Sequence, residues 1–255
     1  MASPAGVIAR GESDVCRCRD VANGQLDEGR AGRAAADVPI SLASGSVDRH
    51  HDKVDDLTLQ GISSPTSLVY LLGSPGVGKR TVAEALSVRT GSLVLDNHRI
   101  NLPIMSLFNW DGSERLPPEV WGYVNAIRSA VLDALADIAP REASYVLTNA
   151  LEVGYEAWFE RIERIARARG SVFVPVLLEC ELEEQLRRVT SEDRVERLKL
   201  SDPEHAREFI AGTEFFRPTG PDALVVDTTH RSPDDTAALI GEHVNRIAAR
   251  FSAGR

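Results

Sequence analysis

Ser67-Leu68-Val69-Tyr70-Leu71-Leu72-Gly73-Ser74-Pro75-Gly76-Val77-Gly78-Lys79-Arg80-Thr81 is the stretch whose reading decides the fold. Its first six residues are largely apolar and read as a strand. The glycines that follow read as a turn, and Lys79 opens a helical run. Gly73, Gly78 and Lys79 stand in the spacing Gly-x-x-x-x-Gly-Lys. In that pattern the backbone curls so that successive N–H groups converge on phosphate oxygens. The helix behind it directs its positive end to the same point, and the lysine adds a full charge. Residues 73–81 (Gly73, Ser74, Pro75, Gly76, Val77, Gly78, Lys79, Arg80 and Thr81) are therefore expected to bind a nucleotide's phosphates. A glycine-rich turn that binds nothing is the plainer alternative. The strand before the loop and the helical run Val82-Ala83-Glu84-Ala85-Leu86 after it favour the phosphate reading.

The residue after the lysine of such a P-loop is usually Ser or Thr, whose hydroxyl joins a magnesium shell. Here Arg80 stands in that place and Thr81 follows it. The run Gly-Ser-Pro-Gly-Val-Gly-Lys-Arg-Thr resembles the adenylate kinase form of the loop, Gly-x-Pro-Gly-x-Gly-Lys-Gly-Thr, in which the threonine also comes one place late.

Composition narrows the classes. A chain of 255 residues suits one domain or two small ones, and a hydrophobic share of 43% supplies an ordinary core. A net charge of −9 argues against a surface that wraps nucleic acid. No apolar run approaches the roughly 20 residues of a membrane-spanning helix. The first six residues lack the basic-then-apolar order of a secretory signal. These features lead to the expectation of a cytoplasmic protein without a membrane or nucleic-acid partner. Cys16 and Cys18 are too close for an ordinary disulfide, and Cys180 closes an apolar run as a buried thiol.

Residues 1–62 carry scattered charge, the pair His50-His51 and no sustained apolar period, and are expected to be disordered or weakly structured. Residues 63–255 alternate short apolar runs with amphipathic ones, the order of a parallel α/β sheet. The spacing predicts five strands, near 67–72, 91–98, 143–148, 171–178 and 222–227. Helices are expected over 79–90, 119–138, 152–169, 181–189, 204–212 and 232–251, with a loop over 99–118. Gly170 is expected to cap the helix before it. Pro175, inside the fourth strand, points to a bulge or an exposed edge.

Ligands of open parallel sheets sit beyond the carboxyl ends of the strands. The polar residues expected there are Asp96-Asn97-His98, Thr148-Asn149, Glu179-Cys180-Glu181 and Thr228-Thr229-His230. Asp96 is placed to accept a hydroxyl proton or to hold magnesium through water, or else simply fixes a turn. His98 either touches substrate or is structural. Residues 187–203, with Arg188 and Arg194, read as a basic lid closing over the phosphates, against the alternative of a solvated charged face. Phe108, Trp110 and Trp121 are candidates for an acceptor pocket or for core.

Taken together, strand, P-loop, strand-end Asp and arginine-bearing segment resemble the adenylate kinase and shikimate kinase group of small P-loop kinases, over about residues 66–251. The resemblance implies a three-layer P-loop NTPase fold with a five-stranded parallel sheet flanked by helices. It also implies ATP and Mg²⁺ as cofactors, with a small molecule or nucleotide as phosphate acceptor. By it, Gly73, Gly76, Gly78, Lys79 and Thr81 hold phosphates, and Arg188 and Arg194 match lid arginines. Asp96 matches the acidic residue near the acceptor, Thr81 and Asp96 serve the metal, and Thr228-Thr229-His230 lies near the adenine. Catalysis would rest on Lys79, Asp96, Arg188 and Arg194. Two departures, Arg80 and the ending Thr148-Asn149 where a Walker B Asp is usual, keep open a nucleotide-binding regulator with little or no catalysis. No Asn-Lys-x-Asp for guanine is present, which sets a GTPase aside.

Overall fold

The computed structural model describes residues 65–108, 116–191 and 201–254. The expectations for residues 1–62, for Cys16, Cys18 and His50-His51, for Trp110, and for the middle of the basic segment with Arg194 lie outside the described residues. The elements run β1 (Ser67–Leu72), α1 (Lys79–Thr90), β2 (Leu93–Asp96), α2 (Asn97–Met105), a 3₁₀ turn (Ser106–Phe108) and α3 (Val120–Asp137). They continue with β3 (Tyr145–Asn149), α4 (Glu156–Arg169), β4 (Val172–Glu179), α5 (Leu182–Val189), α6 (Pro203–Gly212), β5 (Leu224–Asp227) and α7 (Pro233–Ala253).

The strands form one parallel sheet in the order β2-β3-β1-β4-β5. β1 lies at its centre, and all six of its residues are buried. The alternation along β1 feeds two cores. Val69 and Leu71 face Val82, Ala83 and Leu86 of α1 and Ala237, Ile240 and Ile247 of α7. Leu68, Tyr70 and Leu72 face Leu132 and Leu135 of α3 and Ile162, Ile165 and Ala166 of α4. The result is the expected three-layer P-loop NTPase arrangement. At about 1.5–3 kcal/mol for each fully buried large apolar side chain, these two layers dominate the favourable side of folding.

Several helix boundaries follow from local chemistry. Ser232 caps α7, its side chain accepting from the Asp235 N–H, with Pro233 in the first turn. Asp202 caps α6 in the same way through the His205 N–H. Gly170 closes α4 in the left-handed conformation, at φ +69°. Arg169, itself buried, reaches back to the end of α3. Its guanidinium donates to the carbonyls of Leu135 at 2.7 Å and Ala139 at 3.2 Å, and also to that of Pro140. Arg169→Ala strands those carbonyls and is expected to cost about 2–4 kcal/mol of stability. Urea unfolding monitored by circular dichroism checks this.

Three expectations need correction. The loop expected over 99–118 begins instead with α2 and the 3₁₀ turn. Pro103 sits inside α2, and Asn101 and Met105 are its buried side chains. A first-turn N–H, that of Asn97, donates to the Thr148 hydroxyl of β3 at 3.2 Å. That cap comes from a residue distant in sequence, so local signals could not announce it.

The helix expected from 152 starts at Glu156 because the preceding chain pairs elsewhere. The Val153 N–H donates to the Glu214 carbonyl at 2.9 Å, and the Phe216 N–H to that of Leu151 at 2.8 Å. β4 is an interior strand, yet its register with β5 begins only at Val176, one residue beyond Pro175. The proline thus falls where no β5 partner is lost. Cys180 is a half-buried thiol packed against the first core. No helix among the described residues is long and apolar enough to cross a membrane.

Candidate functional site

Because all five strands are parallel, their carboxyl ends share one rim, and the loop after central β1 occupies its middle. Gly73 takes φ +139° and Gly76 φ +87°. The space is as restrictive as the angle. A Cβ on Gly73 would lie 2.4 Å from the Leu178 carbonyl oxygen, and one on Gly76 would lie 2.7 Å from that of Gln185. Only glycine lets the loop curl this tightly against β4 and α5. Lys79 folds over the loop, its Nζ donating to the carbonyls of Gly73 at 2.7 Å and Ser74 at 2.8 Å. The ammonium is thereby held at the mouth of the cradle.

α5 braces the loop from the other side through Gln185, which the sequence alone does not mark as part of the site. Ser74 donates its hydroxyl to Gln185 Oε1 at 2.6 Å, and Gln185 Nε2 donates to the Cys180 carbonyl at 2.5 Å. Thr228 Oγ1 lies 3.0 Å from the Val77 carbonyl, tying the end of β5 to the loop. The spacing Gln185-x-x-Arg188 puts both side chains on one face of a helix, the one signal available in the sequence.

Arg188 lies on α5. Its Nε donates to Glu184 at 2.7 Å, and its Nη2 to the carbonyls of Thr228 at 2.8 Å and Thr229 at 3.2 Å. Arg188 therefore joins the P-loop side of α5 to the turn expected near the adenine. Hydrogen bonds from Arg187 and Arg188 hold the Glu184 carboxyl down to about 2. With its folded value below the unfolded one, this pairing is intact through the neutral range and is lost only as pH falls through about 2.

Asp96 ends β2 and is only 5% exposed. Its Oδ1 accepts the Thr148 hydroxyl at 2.7 Å. Its Oδ2 is buried, accepts no hydrogen bond, and faces Arg80 Nη1 at 4.0 Å. Arg80 also donates through Nε to Glu84 at 2.7 Å. Asp96 and Glu84 therefore both face one guanidinium.

That arrangement does not suit a magnesium ion held by the protein. Arg80 stands directly after Lys79, where the commoner P-loop carries its hydroxyl, and Thr81, one place later, is exposed. Among the described residues no group of three or more His, Cys, Asp or Glu is placed to hold a metal. The guanidinium already offsets part of the Asp96 and Glu84 charge, which leaves less for a divalent ion to neutralise there.

A narrow cavity of about 20 Å³ opens between α2, α3, α4 and the sheet, walled by Tyr70, Asn97, Arg128, Thr148, Asn149 and Trp158 among others; Asp96 is not in its wall but bonds to Thr148, which is. As it stands it has room for a water or two. Arg128 Cζ lies 5.2 Å from the Trp158 ring centre, and its Nη groups donate to Asn125 at 3.0 Å and Asn101 at 3.4 Å. Its buried Nε has no hydrogen-bond partner, and burial lowers its pKa. Tyr70 is pushed up to about 12 by burial and receives a hydrogen bond from Asn149 Nδ2 at 3.0 Å. It stays neutral at any physiological pH. The aromatic wall of this cavity is Tyr70 and Trp158, whereas Phe108 and Trp121 lie exposed.

No protein-family model matches the sequence, and no curated protein matches it. Solved structures do. A protein from Chloroflexus aurantiacus j-10-fl assigned as a kinase superposes with a TM-score of 0.51 at 17% identity, covering 70% of this chain and 96% of that one. A gluconokinase from Sinorhizobium meliloti 1021 gives a TM-score of 0.50 at 17% identity, covering 75% of this chain and 98% of that one. A shikimate kinase from Acinetobacter baumannii is 20% identical over 72% of this chain and 95% of its own, with a TM-score of 0.42. At such identities the likeness is one of fold, and this chain has the fold of the small P-loop kinases.

Proposed function

We propose that this protein is an ATP-dependent phosphotransferase that moves the γ-phosphate of ATP to a hydroxyl on a small acceptor. The observation that carries the reading is a tightly braced glycine loop closed by Lys79, on the same sheet rim as a buried carboxylate with one unbonded oxygen. The loop's N–H groups and Lys79 take the phosphates of ATP, and Arg188 and the turn at Thr228-Thr229 border its other end. In the transfer step the acceptor oxygen bonds to the γ-phosphorus, and the bond from that phosphorus to the β–γ bridging oxygen breaks. ADP leaves, and the acceptor proton passes to Asp96 Oδ2.

The acceptor enters the cavity at Thr148 by parting α2 from α3, since Arg128 spans those two helices. An unsatisfied guanidinium N–H in an aromatic wall favours an acceptor carrying an anionic group, and the neutral Tyr70 hydroxyl orients it as a polar partner. Screening small anionic alcohols by coupled ADP release tests this. Arg128→Gln is expected to raise the KM for the acceptor that is found by about 10-fold or more, leaving the affinity for ATP within about twofold. Steady-state kinetics in each substrate separates the two constants. Unchanged acceptor KM would remove Arg128 from the site.

A second reading, a nucleotide-binding protein that does not turn ATP over, is favoured by the guanidinium of Arg80 facing Asp96 Oδ2. Tight ATP binding with no ADP release across the acceptor screen would select it.

A further inference from the structure

Arg80 sits at the start of α1, directly after Lys79, and its guanidinium extends to Asp96 at the end of β2. β3 lies between β2 and β1 in the sheet, and its Thr148 is the residue bonded to Asp96. The side chain therefore reaches from the residue after Lys79 to the carboxylate that ends β2, and a P-loop hydroxyl and a nearby Asp are the protein groups that ordinarily serve a magnesium ion in such a site. Asp96 Oδ2 is buried and accepts no hydrogen bond even with the guanidinium 4.0 Å away. A cation held at that distance offsets the buried charge without closing over it, so the carboxylate remains open to a further partner.

We propose that Arg80 is the built-in cation of this site: its guanidinium stands where a metal would neutralise the β- and γ-phosphates, and the protein binds nucleoside triphosphate without a divalent ion. The proposal rests on the nucleotide reading given above and adds to it how the phosphate charge is met. A guanidinium suits the task because it stays charged at any working pH and offers planar pairs of N–H groups to phosphate oxygens. The Glu84 pair, on a half-exposed carboxylate one helical turn away, is the kind of contact an incoming phosphate displaces at little cost. Lys79 and Arg80 then supply two adjacent fixed charges.

Calorimetric titration of ATP into the full-length protein, once in EDTA and once in excess magnesium chloride, tests this directly. The wild-type dissociation constant is expected to agree within about threefold between the two buffers. Arg80→Ser is expected to bind at least 10-fold more weakly in EDTA and to regain affinity when magnesium is added. Arg80→Lys, which keeps a charge, should fall between them. Wild-type binding that is 10-fold or more tighter with magnesium would overturn the proposal while leaving the nucleotide site in place. Equal affinity of Arg80→Ser and wild type in EDTA would overturn it as well. Absence of ATP binding in both buffers would remove the nucleotide reading, and this inference with it. The wild-type comparison needs no variant, so it decides even if Arg80→Ser unfolds.

Discussion

Lys79→Ala is expected to weaken ATP binding by about 10- to 100-fold, as read by calorimetry on the purified chain. The reason is the ammonium's position. It is held over the cradle by the Gly73 and Ser74 carbonyls. A hydrogen bond to a charged partner contributes about 1.5–3 kcal/mol, which sets that range. The same variant also loses the two contacts by which Lys79 closes the loop. Those are ammonium–carbonyl bonds on a part-buried turn, where water can replace the lost donor, and the melting temperature should move by only a few degrees. Binding and stability therefore separate. Affinity unchanged in a folded Lys79→Ala protein would mean that phosphates are held elsewhere.

Gly73→Ala is expected to act in the opposite sense, through the fold first. The added methyl would lie 2.4 Å from a backbone oxygen of β4, and the residue would keep φ +139°. Neither fault can be relieved by a side-chain rotation, because the obstacle is the neighbouring strand beside the centre of the sheet. Backbone strain together with a main-chain clash costs about 3 kcal/mol or more. For a domain of this size that corresponds to a fall of roughly 6–12 °C in melting temperature, measurable by differential scanning calorimetry. Gly91, by contrast, caps α1 with open space around its Cα. A Gly91→Ala control should cost no more than its positive φ demands, about 1 kcal/mol. Equal effects at the two positions would show that the close approach of loop to β4 is not what fixes Gly73.

Much of this architecture could be read in the sequence because its signals are local. The apolar run of β1, the glycine spacing after it, the cap at Ser232-Pro233 and the glycine closing α4 each act within a few residues. Asp96 could be placed at the rim for the same reason, as the polar residue ending a short strand. What the sequence hid depends on partners far away along the chain. α2 reads as a loop because of Asn97, Asn101 and Pro103, and its cap comes from Thr148, 51 residues on. Gln185 braces the phosphate loop from 111 residues away. Arg128 gains its interest only when Trp158 and the end of β3 close around it. Arg80 was visible as a departure from the usual pattern, but only its distance to Asp96 gives the departure a physical role.

The proposed activity requires the curled backbone at residues 73–81 to grip a triphosphate. The most direct test is an ATP titration of the ¹⁵N-labelled protein, followed through its amide resonances. The largest shifts are predicted at Gly76, Val77, Gly78 and Lys79, with smaller ones at Arg188 and Thr228 and none along the exposed face of α7. Saturating ATP that leaves the Gly73–Thr81 amides unmoved, or that shifts a different surface instead, would contradict it.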